Sequence, residues 1–114
     1  MTVTIYHNPN CSHSRKALEI IRAHGIEPVI VDYLGTPLTP QELRHLIKDE
    51  LHLPVRDAMR TQEPLYAELA LDGADDDVLL AEMAAHPILL NRPIVVTGKG
   101  AKLCRPGELV EGLL

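Results

Sequence analysis

The chain has 114 residues, of which 46% are apolar with no Trp and no Phe, so we expect a single domain with an aliphatic core. Eleven Lys and Arg against 16 Asp and Glu give a net charge of −5, which argues against a general role on nucleic acids or membrane surfaces. No apolar run approaches the roughly 18–20 residues that a bilayer requires, and the N-terminus lacks the pattern of a secretion signal. Two cysteines are too few for a disulfide scaffold, and a location in the reducing cytoplasm is expected.

The N-terminal third is predicted to form a strand, a helix and a second strand. Residues 2–6 are rich in β-branched side chains, which favours a strand. From residue 12 onwards, apolar side chains recur at helical spacing until Gly25, which is placed to end the helix. Residues 27–33 are predicted to form a second strand. Because a helix connects the two strands, we expect them to be parallel, in a right-handed βαβ unit.

Residues 39–86 are predicted to be nearly all helical and to be inserted into the α/β frame. Thr39 and Glu42 have the spacing of a capping box, in which each side chain binds the other residue's backbone N–H. Four helices are predicted in this segment. They begin at Thr39, at Pro54, at Pro64 and at residues 75–77, and the last two end near Gly73 and at Pro87.

After Pro93 the pattern returns to strands. Residues 94–97 are a continuous apolar run, typical of a buried strand. Residues 98–100 predict a hairpin turn into a strand at 101–104, and Pro106 opens a last short helix. The order β-α-β, helical insertion, β-β-α is that of an α/β, thioredoxin-like fold with a mixed β-sheet.

Cys11 lies at the junction of the first strand and the first helix. A thiol at this position faces unsatisfied backbone N–H groups and the positive end of the helix dipole, which both favour the thiolate. His7, Ser14 and Arg15 lie within four positions of it, and residues 8–10 form a loop rather than core. A lone cysteine is usually a small buried hydrophobe, but these neighbours favour a reactive thiol.

The spacing around Cys11 excludes several common thiol and metal sites. Ser14 stands where a C-x-x-C redox motif has its second cysteine, so a mixed disulfide at Cys11 must be resolved by another thiol. Ala17 stands where a C-x5-R phosphate loop requires arginine. The histidines show no paired metal spacing, so we expect no metal and no bound cofactor.

Three arginines stand at element boundaries: Arg60, Arg92 and Arg105. Arg92 precedes Pro93, at the position where thioredoxin-like folds carry a cis-proline beside the active thiol. A single boundary arginine is usually a solvated charge. Three that converge on a thiolate would form an oxyanion pocket, because guanidinium groups suit tetrahedral, phosphate-like anions.

Three sequence motifs together closely resemble those of the glutaredoxin-coupled arsenate reductases. They are His7-Asn8-Pro9-x-Cys11-x-x-Ser14-Arg15, residues 86–97 (HPILLNRPIVVT), and Leu103-Cys104-Arg105-Pro106. The resemblance covers essentially the whole chain, and it implies a single arsenate-reductase-like domain over residues 1–114. Because the chain stops at Leu114 rather than carrying a longer C-terminal tail, it is similar to the shorter, chromosomal members of the family.

The resemblance implies a cytoplasmic oxidoreductase that reduces arsenate, or a related oxyanion, in arsenic detoxification. Glutathione would be the co-substrate that adds to the arsenate adduct, and glutaredoxin would resolve the mixed disulfide as arsenite leaves. Cys104 is not a catalytic position of the family and is expected to be structural. In the implied site, Cys11 is the nucleophile, and His7 and Ser14 support its thiolate. The oxyanion ligands are Arg60, Arg92 and Arg105.

Two other functions are compatible with this fold. Spx-type regulators share it and bind RNA polymerase instead of reducing an oxyanion, but they typically carry a C-x-x-C switch, which Ser14 interrupts here. A general thiol-disulfide adaptor would exchange disulfides without any oxyanion. The presence of all three arginines favours the reductase, with no nucleic-acid or membrane partner expected.

Overall fold

A computed structural model of the chain describes residues 2–114. They divide into two compact units. The first unit consists of the chain up to Gly35 together with Arg92–Leu114, and the second consists of Thr36–Asn91. The segment predicted to be a helical insertion, residues 39–86, lies within the second unit.

The first unit contains a four-stranded mixed sheet in the order β2-β1-β3-β4. Strand β1 (Thr4–Tyr6) pairs in parallel with β2 (Val29–Val31) and antiparallel with β3 (Ile94–Thr97). Strand β4 (Gly100–Leu103) returns antiparallel along β3. The predicted parallel pair and the predicted hairpin are therefore both present, and the mixed α/β class is confirmed.

Helix α1 (Ser12–Ala23) connects β1 to β2 and ends where the sequence predicts. Gly25 has φ +75, a conformation that glycine adopts without strain. Its N–H donates to the Arg22 carbonyl over 2.9 Å, and the N–H of Ile26 donates to the Ile21 carbonyl over 3.3 Å. These two bonds are those of a Schellman motif, and they turn the chain towards β2.

The core of the first unit lies between the sheet, α1 and a 3₁₀ segment, Gly107–Leu113. A Cβ atom at Gly107 would lie only 2.7 Å from the His13 carbonyl oxygen, so the lack of a side chain lets this segment approach the first turn of α1 closely. Each fully buried aliphatic side chain stabilises the fold by roughly 1.5–3 kcal/mol. The core residues are Val3, Ile5, Ala17, Ile20, Ile21, Val95, Cys104, Val110 and Leu113.

The second unit is helical, with one isolated β-bridge between Met59 and Leu90. The predicted capping box is present: Thr39 Oγ1 accepts from the Glu42 N–H at 3.1 Å, and the Thr39 N–H donates to Glu42 Oε1 at 3.0 Å. Within residues 2–114, no helix is long and apolar enough to cross a membrane. The helical segments are α2 (Pro40–Arg44), a π-helix (His45–Glu50), α3 (Pro64–Glu68), α4 (Asp76–Ala85) and 3₁₀ segments at Val55–Ala58, Leu71–Gly73 and Pro87–Leu89.

The prediction of one helix from Pro64 to about Gly73 is wrong, because tertiary hydrogen bonds interrupt it. Helix α3 ends at Glu68, and Ala70 adopts a left-handed backbone with φ +53. Arg56 Nη2 donates to the carbonyls of Leu71 and Ala74 at 3.0 and 2.9 Å. Arg56 Nε also donates to the Tyr66 hydroxyl at 2.9 Å. These bonds stabilise a turned path for the chain that the apolar spacing does not reveal.

Candidate active site

Cys11 is the N-cap residue of α1. Its backbone is extended, with φ −100 and ψ 125, and the residue is only 5% exposed. Its N–H donates to the Asn8 carbonyl and its carbonyl accepts from the Arg15 N–H, both over 3.0 Å. The sulfur therefore stands at the end of the helix where backbone N–H groups have no helical partner.

The loop before Cys11 is fastened to the first turn of α1. Asn8 Oδ1 accepts from the Asn10 N–H at 2.9 Å, and the Asn8 N–H donates to Ser14 Oγ at 3.4 Å. Arg15 Nη1 donates to the Pro9 carbonyl at 2.9 Å. Sequence spacing places Arg15 near the thiol but gives no sign of this last bond, which depends on the folded path of the loop.

The environment of Cys11 favours ionisation of its thiol. Burial opposes ionisation and raises the pKa of Cys11, but the net shift is downward. The backbone N–H groups of Ser14 and His13, the positive charge of Arg92 and the Ser14 hydroxyl all lower this pKa. Because Ser14 Oγ already accepts a hydrogen bond from the Asn8 N–H, its own proton is available to the sulfur.

Arg105 and Arg92 both act on the thiol within the first unit. Arg105 Nη1 lies 3.7 Å from Cys11 Sγ and donates to the Arg92 carbonyl at 3.1 Å. The Arg92–Pro93 peptide bond is cis, as the sequence position suggests, and the Arg105–Pro106 bond is also cis, which was not predicted. Two guanidinium groups thus bring positive charge to a reactive sulfur, an arrangement that suits an oxyanion.

Arg60 lies in the second unit, beyond a 3₁₀ turn. Its backbone N–H donates to the Leu89 carbonyl at 2.8 Å. Its Nη1 lies 3.4 Å from a Glu63 carboxylate oxygen and donates to the Ile88 carbonyl at 3.4 Å. These contacts all lie within its own unit, so the assignment of Arg60 to the oxyanion stays a prediction.

His7 is buried immediately after β1, and its N–H donates to the Val31 carbonyl at 3.1 Å. Burial and the charges of Arg22 and Arg15 lower the pKa of His7 below its ordinary value of about 6.5. The ring is therefore neutral at pH 7, and its Nδ1 has no hydrogen-bond partner among the residues described. Any support that His7 gives to the thiolate must come from a neutral imidazole rather than from a positive charge.

Comparison with known proteins shows the family of the chain. The ArsC family profile matches residues 6–113. The chain belongs to the ArsC family. The arsenate reductase of Escherichia coli is 51% identical over 114 residues, covering 98% of this chain and 80% of that protein. The arsenate reductase of Neisseria meningitidis is 41% identical, covering 98% of this chain and 97% of that protein.

Solved structures of ArsC relatives share the fold. The arsenate reductase from Vibrio cholerae matches with a TM-score of 0.94 and 44% identity, covering 100% of this chain and 98% of that one. A second structure, of a Yersinia pestis protein, matches with a TM-score of 0.90 and 46% identity, covering 96% and 98% of the two chains. The thioredoxin-like fold predicted from the order of elements is thereby confirmed.

In this ArsC chain the second cysteine differs sharply from the first. Cys104 is fully buried in the core, and burial raises the pKa of its thiol to about 11, although Lys102 acts in the opposite direction. Both cysteines are free. Cys104 is therefore a neutral thiol at pH 7, whereas the pKa of Cys11 is shifted in the opposite direction. Elsewhere in residues 2–114, no group of three or more His, Cys, Asp or Glu is placed to hold a metal ion.

We expect Cys104→Ala to leave turnover unchanged, because a buried neutral thiol is a poor nucleophile. Alanine keeps the site apolar, so any loss should appear as reduced thermal stability rather than reduced activity. Turnover and thermal unfolding of the variant would check this. A Cys11–Cys104 disulfide formed during turnover, detected by mass spectrometry of unreduced peptides, would show instead that Cys104 resolves the intermediate.

Alkylation of Cys11 by iodoacetamide should follow a pH midpoint below the value of about 8.5 for a free cysteine. A lowered pKa means that the thiolate, and hence the alkylation rate, reaches its plateau at a lower pH. Ser14→Ala removes one hydrogen bond to the sulfur, so its midpoint should move upward. The measurement uses Cys104→Ala as background. An unshifted wild-type midpoint would contradict the activated thiolate.

Proposed function

We propose that this chain is an arsenate reductase, an oxidoreductase that converts arsenate to arsenite with Cys11 as its nucleophile. The observation that carries the proposal is Arg105 Nη1, 3.7 Å from a sulfur whose pKa is lowered at a helix N-terminus. A chain 51% identical to an arsenate reductase over nearly its full length is expected to keep the same reaction. A guanidinium beside a thiolate can hold an oxyanion where the sulfur can attack its central atom.

In the first step, the Cys11 thiolate attacks arsenic and a sulfur–arsenic bond forms. One arsenic–oxygen bond breaks, and the oxygen leaves as water after it is protonated. Arsenic remains in the +5 state in this adduct. Arg92 and Arg105 offset the negative charge of the oxyanion, with Arg60 as the third proposed ligand, while the hydrogen bond from the Ser14 hydroxyl favours the ionised form of the attacking sulfur.

The two electrons for reduction must come from other thiols. Position 14 is a serine, and Cys104 is buried with a thiol pKa of about 11, so neither residue supplies a second thiolate beside Cys11. We assign this role to glutathione, whose sulfur attacks Cys11 Sγ. The sulfur–arsenic bond breaks with its electron pair on arsenic, arsenite leaves, and a Cys11–glutathione disulfide remains.

Glutaredoxin then reduces this mixed disulfide and regenerates the Cys11 thiol. The whole cycle converts one arsenate and two thiols into one arsenite, one disulfide and one water, so atoms and electrons balance. Thiol–disulfide exchange at Cys11 is favoured because the low-pKa Cys11 is a good leaving group.

A coupled assay tests the proposal. The chain is mixed with arsenate, glutathione, glutaredoxin and glutathione reductase, and NADPH oxidation is followed. We expect oxidation that depends on arsenate, on the chain and on both thiol components. Disulfide exchange at the same rate without arsenate would indicate a general adaptor, and an absence of arsenate-dependent oxidation would reject the proposal.

A further inference from the structure

The charges of the chain are unevenly distributed around the thiol. Residues 1–18 contain two cationic side chains and no Asp or Glu, and residues 91–107 contain four cationic side chains and no Asp or Glu. These are the segments that contribute Cys11, Arg92 and Arg105. The whole chain, in contrast, has a net charge of −5. The surroundings of the thiol therefore attract anions although the protein as a whole is acidic.

Arg15 and Lys16 follow Cys11 by four and five positions, and Arg105 reaches its sulfur. These three residues are exposed, and we call them the cationic rim. Arg105 Nη1 is 3.7 Å from the sulfur, and Arg15 Nη1 is 2.9 Å from the Pro9 carbonyl of the preceding loop. A Cβ placed at Gly107 would lie 2.9 Å from Lys16 Cβ, so the Lys16 side chain begins beside a residue that follows Arg105 by two positions.

Lys16 is the member of the cationic rim that is available to a second anion. Arg105 lies against the sulfur, where the oxyanion is proposed to bind, and Arg15 is held by a carbonyl. Lys16 Nζ lies 3.8 Å from Glu19, but the two side chains are 46% and 72% exposed. An exposed pair of this kind is screened by water and holds the ammonium group only weakly.

We propose that the cationic rim recognises the carboxylates of a small thiol, so that the reducing co-substrate is selected for its negative charge. The inference rests on the proposed function. During the cycle, the thiol must approach Cys11 while an arsenic oxyanion is attached to it, and two anionic partners repel one another. Lys16 offsets this repulsion, and a carboxylate-bearing thiol such as glutathione gains an attraction that a neutral thiol lacks.

Two disulfide probes test the preference without arsenate. One is 5,5′-dithiobis(2-nitrobenzoate), which carries two carboxylates, and the other is neutral 2,2′-dithiodipyridine. Each is attacked by the Cys11 thiolate, which forms a mixed disulfide and releases one aromatic thiol that is followed by absorbance. The rates are measured in a Cys104→Ala background, so that only Cys11 reacts.

In Lys16→Gln, the rate with the anionic probe should fall about two- to fivefold, the range for one exposed charge, and the rate with the neutral probe should not change. Added salt should slow the anionic probe more in the wild type than in the variant. The ratio of the two rates cancels any change in the pKa of Cys11, because both probes react with the same thiolate.

Lys102→Gln is the matched control, because it removes the same charge from the same unit. In the wild type, Lys102 Nζ would be 3.1 Å from a Cβ placed at Gly112. Gly112 is near the C-terminal end of the Gly107–Leu113 segment, and Arg105 precedes the other end. The ratio of rates in Lys102→Gln should equal that of the wild type. An equal fall in the ratio for Lys16→Gln and Lys102→Gln, or no fall in Lys16→Gln, would overturn the proposal.

The coupled assay adds a second readout. Lys16→Gln should raise the KM for glutathione and leave the KM for arsenate unchanged, since Lys16 is not an oxyanion ligand. A rise in both would mean that Lys16 acts on the oxyanion instead, which would also overturn the inference. The probe measurements need no arsenate, so a failure of arsenate turnover is distinguishable from a failure of thiol selection.

Discussion

Replacing Cys11 with serine is expected to reduce arsenate turnover to the background rate and to leave the fold intact. Serine is close in size to cysteine, but its hydroxyl is not ionised at pH 7 and cannot form the mixed disulfide that the cycle requires. The N-cap position also accepts serine well, since its oxygen can bind a free backbone N–H of α1. Coupled-assay turnover and thermal unfolding should be measured together.

Cys104→Ala is the matched control for Cys11→Ser, since each variant removes one of the two thiols. Activity should survive in the first variant and vanish in the second. Turnover by Cys11→Ser above the rate without protein would mean that another group attacks arsenate. If Cys11→Ser is inactive because it is unfolded, its thermal transition will be lost or lowered. Cys11→Ala would then be measured in the same way, because a folded but inactive variant shows that the activity needs the thiol.

Arg105→Ala should lower kcat/KM for arsenate roughly 10- to 150-fold. The guanidinium lies 3.7 Å from Cys11 Sγ and would lose charge-assisted hydrogen bonds to the oxyanion. Such bonds are each worth about 1.5–3 kcal/mol, which corresponds to that range of rates. Arg105→Lys should recover little, because a point charge cannot reproduce the planar fork that binds two oxygens.

Controls separate binding at the site from a change in overall charge. Arg44 is paired with Asp77 at 2.6 Å in the second unit, and Arg44→Ala should retain wild-type kcat/KM. Sulfate should protect Cys11 from alkylation in the wild type and in Arg44→Ala, but less in Arg105→Ala. Wild-type activity in Arg105→Ala would contradict the oxyanion pocket.

The same experiments extend to the other two arginines. Arg92 lowers the pKa of Cys11 by its charge, so Arg92→Ala should combine weaker oxyanion binding with a higher alkylation midpoint. Arg60→Ala tests the third proposed ligand. If the three arginines hold one oxyanion, the double variants should lose less than the product of the single losses, because residues that share a ligand are not additive.

The sequence predicts the elements whose signals are local. Gly25 ends α1 because its backbone conformation is open to glycine, and Thr39 begins α2 because its hydroxyl and the Glu42 carboxylate satisfy free N–H groups. Residues 94–97 and 101–104 predict the hairpin because a continuous apolar run and a second strand segment flank a Gly-Lys-Gly turn. The observed bounds, Ile94–Thr97 and Gly100–Leu103, differ from these by one residue at most.

The elements that the sequence does not predict depend on distant partners. The left-handed backbone of Ala70 follows from a turn whose carbonyls bind Arg56, and alanine itself disfavours that conformation. The π-helix at His45–Glu50 has apolar residues on one side, as an α-helix would, and six residues are too few to distinguish the two periods.

At the candidate site, the sequence predicts where the thiol lies but not the protonation states and hydrogen bonds of its neighbours. The position of Cys11 at a helix N-terminus follows directly from the pattern of strand and helix. The neutral ring of His7 does not, because its pKa depends on burial and on the charges of Arg22 and Arg15. The bond from Arg15 to the Pro9 carbonyl likewise requires the folded loop.

A single-turnover experiment tests whether Cys11 passes electrons from a thiol to arsenate. The Cys104→Ala variant is mixed with arsenate and glutathione, without glutaredoxin, and is then analysed by mass spectrometry of unreduced peptides. We expect glutathione on the peptide that contains Cys11, together with one arsenite released for each modified chain, and only when arsenate is present. Glutathione attached to the same extent without arsenate, or arsenite released while Cys11 stays unmodified, would contradict this role of Cys11.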